Sequence, residues 1–227
     1  ILYILIFAID SLNGDADFYL ETANNLLNGC GFAFTNNSGE CETIIGGYFP
    51  GYFLLLSFLL FLGADLKRIL LFKSIAIVLS ILCVSNSLIQ LGMARKKVFW
   101  FTILFGLSPL SFGFSRFIVI EPILYCFSML MLSETINLVN KNKKFNLIFI
   151  RAIILTIISI YFKPTSFLII LPFLITCYIS KGIKFLIKYF FLFLICIILA
   201  ITPWGIRDLN NGASYPFQAW SSRMPTN

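Results

Sequence analysis

GDADFYLETANNLLNGCGF, residues 14–32, follows an apolar segment (residues 1–9) and sets two carboxylates, Asp15 and Asp17, just past its end. An amphipathic helix is expected behind them. Tyr19, Ala23, Leu26 and Leu27 recur at i, i+4, i+7 and i+8, with Glu21, Asn24, Asn25 and Asn28 on the other side. Gly29-Cys30-Gly31 ends it, since glycine takes the left-handed cap conformation at little cost. An acidic pair at the water edge of a membrane, with a helix lying along the surface, can carry chemistry. The same residues allow a plainer reading, a solvated loop in which Asp15 or Asp17 merely caps the helix.

The rest of the chain supplies the membrane. Of 227 residues, 59% are hydrophobic and only 12% charged, and mean hydropathy is +0.93. Several apolar runs approach the length of a membrane span, so a polytopic, all-α bundle of transmembrane helices is expected. No internal repeat, heptad or low-complexity linker divides it, and one domain over residues 1–227 suffices. Ile1 already lies inside an apolar stretch, and SSRMPTN follows the last one without a tail, so the chain reads as an incomplete piece of a longer protein.

The net charge of +7 comes largely from short clusters between apolar runs, Arg95-Lys96-Lys97, Lys141 to Lys144 and Lys181 to Lys188. That is the positive-inside pattern and not a nucleic-acid patch. Histidine is absent, so chemistry must rest on carboxylates, Lys, Arg and Tyr. No CxxC spacing suggests zinc. Cys83, Cys126, Cys177 and Cys196 sit in apolar runs as small core residues, whereas Cys30 and Cys41 flank a loop and could pair in an oxidising compartment.

Assigning the basic clusters to the cytoplasm fixes the direction of the later runs. Residues 99–112 run outward, 122–139 inward, 147–162 outward, 167–179 inward and 189–204 outward. If Asp15 is also outside, only one crossing separates it from Arg95. Residues 50–62 fall short of the roughly 20 a span needs, while residues 69–91 suffice. The shorter run is therefore re-entrant or interfacial, and Lys67, Arg68 and Lys73 fall on the outer side. The alternative makes it a true span and flips every later loop.

The outer edge then collects Asp15, Asp17, Tyr19, Glu40, Glu42, Arg116, Glu121, Lys163, Arg207, Asp208 and Arg223. Glu121 is flanked by apolar residues, where an ionised carboxylate is costly and usually serves a purpose; its plainer account is a partner for Arg116. Lys163 precedes a chain-resetting proline. Arg207, behind Trp204, is a planar fork suited to oxyanions, or to general attraction to anionic membrane lipids. Glu134 is expected at the cytoplasmic surface and Arg151 as a snorkelling side chain near a helix end.

Five separated pieces agree, in order, with one family. DADFYLETANNLLNGCGF fits D-x-x-x-Y-x-x-x-A-x-x-L-L-x-G-x-G-F, followed by Pro50-Gly51-Tyr52, Glu121-Pro122, Lys163-Pro164-Thr165 and Pro203-Trp204-Gly205-Ile206-Arg207-Asp208. The sequence resembles the GT-C type integral-membrane glycosyltransferases, specifically the dolichyl-phosphate-mannose protein mannosyltransferase-like superfamily with its family 39 and aminoarabinose transferase-like members. Lys163 stands where Arg is more usual, and Asp208 where Asn is.

The resemblance implies a helix bundle with short surface helices in the first outer loop. It implies inverting transfer of a sugar from a polyprenyl-phosphate donor to a glycan, lipid or protein acceptor. The site would lie on the outer face of a cell membrane, that of a bacterial inner membrane. Asp15 would be the base, with Tyr19, Glu121, Lys163 and Arg207 binding substrate; Asp17, two residues away and off the family position, is kept as a secondary substrate-binding carboxylate, and a divalent metal is compatible with the chemistry but no cofactor is required. A membrane transporter or lipid-linked sugar flippase is the competing reading, disfavoured because the charges gather at one edge and not at the midplane. A scaffold without chemistry is the third.

Overall fold

Residue period and capping chemistry account for the helices of the computed structural model, which describes residues 15–36, 38–44, 49–108, 118–139 and 144–213. The first, α1 (Asp15–Leu27), ends where Gly29 and Gly31 take positive φ, +85° and +74°. A hairpin of β1 (Ala33–Thr35) and β2 (Cys41–Thr43) follows, in antiparallel register Ala33 to Thr43 and Thr35 to Cys41. A Cys30–Cys41 disulfide closes it. The helix period does not announce this hairpin.

The short α2 (Gly51–Phe61) is too brief to span. Gly63, at φ +74°, turns the chain into α3 (Leu66–Gln90), which Asp65 caps by accepting from the Arg68 N–H at 2.8 Å. Then come α4 (Arg95–Gly106), α5 (Glu121–Val139), α6 (Phe145–Phe162), a 3₁₀ segment (Pro164–Ile170) running straight into α7 (Leu171–Lys181), and α8 (Ile183–Asn210). Among the described residues five helical segments are long and apolar enough to cross a membrane: α3, α5, α6, the Pro164–Lys181 segment and α8.

Their directions follow from paired contacts. Lys73 meets Val119 and Ser87 meets Ser133 at 2.7 Å, so α3 and α5 run parallel. Glu121 meets Lys163 and Glu134 meets Arg151, so α5 and α6 are antiparallel. Phe145 packs on Phe185 and Tyr189, while the Tyr161 hydroxyl donates to the Ala200 carbonyl, which makes α6 and α8 parallel. Between α3 and α5 the chain must return. The return begins in α4, which lies antiparallel to α3 through Ser85–Thr102 (2.6 Å) and brings the Phe105 carbonyl to the Tyr125 hydroxyl (3.0 Å).

One end of the bundle therefore carries α1, the hairpin, α2, Glu121, Lys163 and Arg207. The other end carries Arg95, Lys96, Lys97, Lys144, Lys181, Lys184 and Lys188. This is the separation that charge and parity imply. The expected span at residues 99–112 is not a single helix: α4 stops at Gly106, and residues 109–112 lie outside the described residues. Residues 1–9, Arg116 and Arg223 also lie outside them.

Other expectations need correction. On α1, Asn25 is buried and Leu27 is 42% exposed, because the Asn25 amide donates to the Ala33 carbonyl at 3.0 Å and so holds the hairpin. Cys126 and Cys177 are buried, but Cys83 is exposed and Cys196 only half-buried. Glu134 is buried in the bundle, paired with Arg151 at 3.0 Å, and is not at the surface. A carboxylate within an apolar bundle stays there only with such a partner.

Candidate functional site

The site end is built on an aromatic and aliphatic cluster that joins α1, α2, the start of α3 and the approach to α5. Ala16, Tyr19 and Ala23 of α1 pack with Tyr52, Phe53 and Leu56 of α2 and with Ile118 and Ile120, which lead into Glu121. The Ser57 hydroxyl donates to the Ala23 carbonyl at 2.9 Å and ties α2 to α1. Tyr19 and Tyr52 meet edge to face at 4.9 Å. Asp15 opens α1, one residue before buried Ala16, and so shares this end with Glu121; Asp17 is exposed.

Gly51 explains why α2 fits so closely against α6. A Cβ there would lie 2.7 Å from both Phe162 Cδ2 and the Tyr161 carbonyl oxygen. The backbone oxygen cannot move aside cheaply. Gly51→Ala is expected to cost about 1–3 kcal/mol by overpacking, read as a lowered melting temperature of the purified protein; an unchanged melting temperature would refute this packing.

Glu121 and Lys163 pair at 3.3 Å, with side chains 35% and 45% exposed. The pair is open enough for either group to exchange its partner for a ligand, and Coulomb energy at such an edge is modest. Lys163 sits where α6 ends and Pro164 begins the 3₁₀ segment, so the proline resets the chain at the lysine.

Arg207 lies within the last turns of α8, which continues past Pro203 and Trp204 to Asn210. Its Nη1 donates to the Ile44 carbonyl, at the exit of the hairpin, and to Asp208 Oδ1, each at 3.1 Å. The guanidinium also stacks 4.3 Å from the Trp204 ring centroid and 5.5 Å from that of Phe32. Asp208 is fully buried beneath it. With five N–H donors, a guanidinium so held keeps further donors for an oxyanion.

Next to Lys163, at Pro164, begins an apolar groove of about 480 Å³, lined by residues such as Ile160, Phe167, Leu174, Phe193 and Ile197. Phe49 and Pro164 line both this groove and a smaller cleft of about 90 Å³, whose walls include Tyr19, Tyr52 and Lys163. Phe49 also packs 6.2 Å from Trp204. Through Phe49 and Pro164 the apolar groove thus adjoins a cleft that Lys163 lines, and Phe49 packs on the Trp204 ring over which the Arg207 guanidinium lies.

Two groups here escaped the sequence reading. Lys73, expected at the outer surface, is 1% exposed inside α3 and donates to the Val119 carbonyl at 3.3 Å, two residues before Glu121. Tyr52 is also 1% exposed, and its hydroxyl makes no hydrogen bond among the described residues. Burial first, then the neighbouring Tyr19 and Glu121, raise the Tyr52 pKa, so it remains a neutral hydroxyl. Its place in Pro50-Gly51-Tyr52 was the available signal. Among the described residues no group of three or more His, Cys, Asp or Glu gathers. Comparison of the chain with protein-family models, curated proteins and solved structures returned no match.

Proposed function

We propose that this chain is the membrane part of a glycosyltransferase resembling the GT-C type. It moves a sugar from a polyprenyl-phosphate donor to an acceptor hydroxyl, with inversion at the anomeric carbon. The observation that carries the reading is the apolar groove that shares Phe49 and Pro164 with the cleft lined by Lys163, at the end of the bundle that also holds α1 and Arg207. An amphiphile with a long chain and an anionic head matches that combination.

In this scheme the acceptor oxygen attacks the sugar C1 as Asp15 accepts its proton. The C1–O bond to phosphate breaks and its electron pair stays on the phosphate oxygen, where Arg207 and Lys163 stabilise the growing charge. Glu121 releases Lys163 toward the phosphate and orients the head group; Tyr19 and Asp17 line the acceptor side. No metal is required, because a monophosphate leaving group is neutralised by the two cations.

The Cys30–Cys41 disulfide supports placing this end in an oxidising, non-cytoplasmic compartment. The lysine-rich opposite end supports the same orientation. The test is reconstitution of the full-length protein in vesicles with a radiolabelled polyprenyl-phosphate sugar. Label passing covalently to an acceptor is expected. Label that only changes leaflet would replace the transferase with a flippase.

A further inference from the structure

At the end of the bundle opposite the candidate site, three lysines each stand one residue before a ring of a single aromatic cluster. Lys144 precedes Phe145, Lys184 precedes Phe185 and Lys188 precedes Tyr189. Phe145, at the start of α6, packs 4.7 Å from Phe185 and 4.9 Å from Tyr189, both in the first turns of α8. Phe185 and Tyr189 lie 4.4 Å apart, and the Lys188 ammonium is 5.6 Å from the Tyr189 ring centroid. The packing of the rings thus gathers charge from two helices, and Lys181, which ends α7, lies just before α8 begins. All four lysines are exposed.

Like charges drawn together repel, and the chain supplies nothing here to offset them. Residues 135–207 contain no Asp or Glu, and Glu134 is already paired with Arg151 at 3.0 Å. Among the described residues none of the four lysines makes an ion pair, whereas Lys163 and Arg207 at the other end both have carboxylate partners. Ile183 and Ile187, one residue before Lys184 and Lys188, are 53% and 49% exposed. A face that sets ammonium groups beside bare aliphatic side chains suits a ligand with a phosphate and acyl chains better than a soluble anion. The bias that orients membrane spans asks only for lysines near their ends. It does not ask lysines of different helices to converge on one cluster.

We propose that this end of the bundle holds an anionic phospholipid of the adjoining leaflet, its phosphate among Lys144, Lys184 and Lys188 and its acyl chains against Ile183 and Ile187. The site shares no residue with the sugar-transfer site and stands independently of that reading.

The test is titration of the purified protein in detergent with phosphatidylglycerol or with phosphatidylcholine of the same acyl chains, bound lipid being counted by native mass spectrometry. The parent is expected to prefer phosphatidylglycerol. Lys184→Gln combined with Lys188→Gln should weaken that lipid about thirtyfold, from the usual contribution of each lysine at an anionic membrane surface. Arg95→Gln combined with Lys96→Gln removes the same charge at the same end but away from the aromatic cluster, and should weaken it far less. Both double variants change exposed side chains only, so the fold is kept. Equal weakening by the two would overturn the proposal in favour of general attraction to positive charge. A parent that does not discriminate the two lipids would overturn it outright. Polyglutamate binding the parent more tightly than phosphatidylglycerol does would replace the lipid with an acidic protein segment.

Discussion

Asp15→Asn is expected to lower sugar transfer by about 10²–10⁴-fold, the usual contribution of a positioned general base, while the protein stays folded and still binds donor. Asparagine is nearly isosteric with aspartate and caps a helix about as well. At the start of α1 the substitution removes a charge that favours the helix N-terminus, worth about 0.3–1 kcal/mol. A cap and a base therefore make different predictions for one variant. If Asp15 only caps α1, Asp15→Asn transfers sugar at the parent rate and Asp15→Ala is merely less stable. If Asp15 is the base, both lose transfer, and the loss in Asp15→Asn comes without a fall in melting temperature. Asp17→Asn is the comparison on the same helix: exposed and placed on the acceptor side, it should lower transfer less than Asp15→Asn does. Equal losses at both positions would shift the role from a single base to the summed negative charge of the helix start.

The long-range order of the bundle was legible because two independent signals coincide. Apolar runs at or somewhat below spanning length mark α3, α5, α6 and α8, and the placement of Arg and Lys between them gives direction; the parallel pairing of α3 with α5 agrees with both. What escaped are contacts that depend on distant chain. Asn25 looks like a polar-face residue by helical period, and only the hairpin arriving at Ala33 gives its amide a partner. Exposure of Leu27 and Cys83 could not be read from hydropathy, because in a bundle facing lipid an apolar side chain has no need of an interior position. Lys73 and Glu134 read as edge charges for the opposite reason. Each lies within a turn or two of a helix end, where snorkelling is the cheaper outcome, and burial required the Val119 carbonyl and Arg151 to be in place. Of the candidate site, the sequence placed Glu121, Lys163 and Arg207 at one end but did not show that Glu121 pairs with Lys163, nor that Tyr52 lines the same cleft.

Arg207→Ala is expected to reduce transfer from a phosphate-linked donor by about 10²–10³-fold, the scale of losing one preorganised charge-stabilising donor. The variant alone is ambiguous, because it strips the partner from fully buried Asp208. An uncompensated buried carboxylate costs about 3–5 kcal/mol of stability, and a destabilised protein also transfers poorly. Arg207→Ala combined with Asp208→Asn removes that charge and should recover most of the melting temperature while leaving transfer low. Arg207→Lys keeps the charge but not the fork that serves Ile44, Asp208 and a ligand oxygen together, so it should fall between the parent and the double variant in turnover. Lys184→Ala, at the opposite end of α8, should leave transfer unchanged, which excludes a general effect of positive charge on the helix. A double variant that folds and transfers at the parent rate would show Arg207 to be a structural strut between α8 and the hairpin. The leaving phosphate would then have to be stabilised by Lys163 alone.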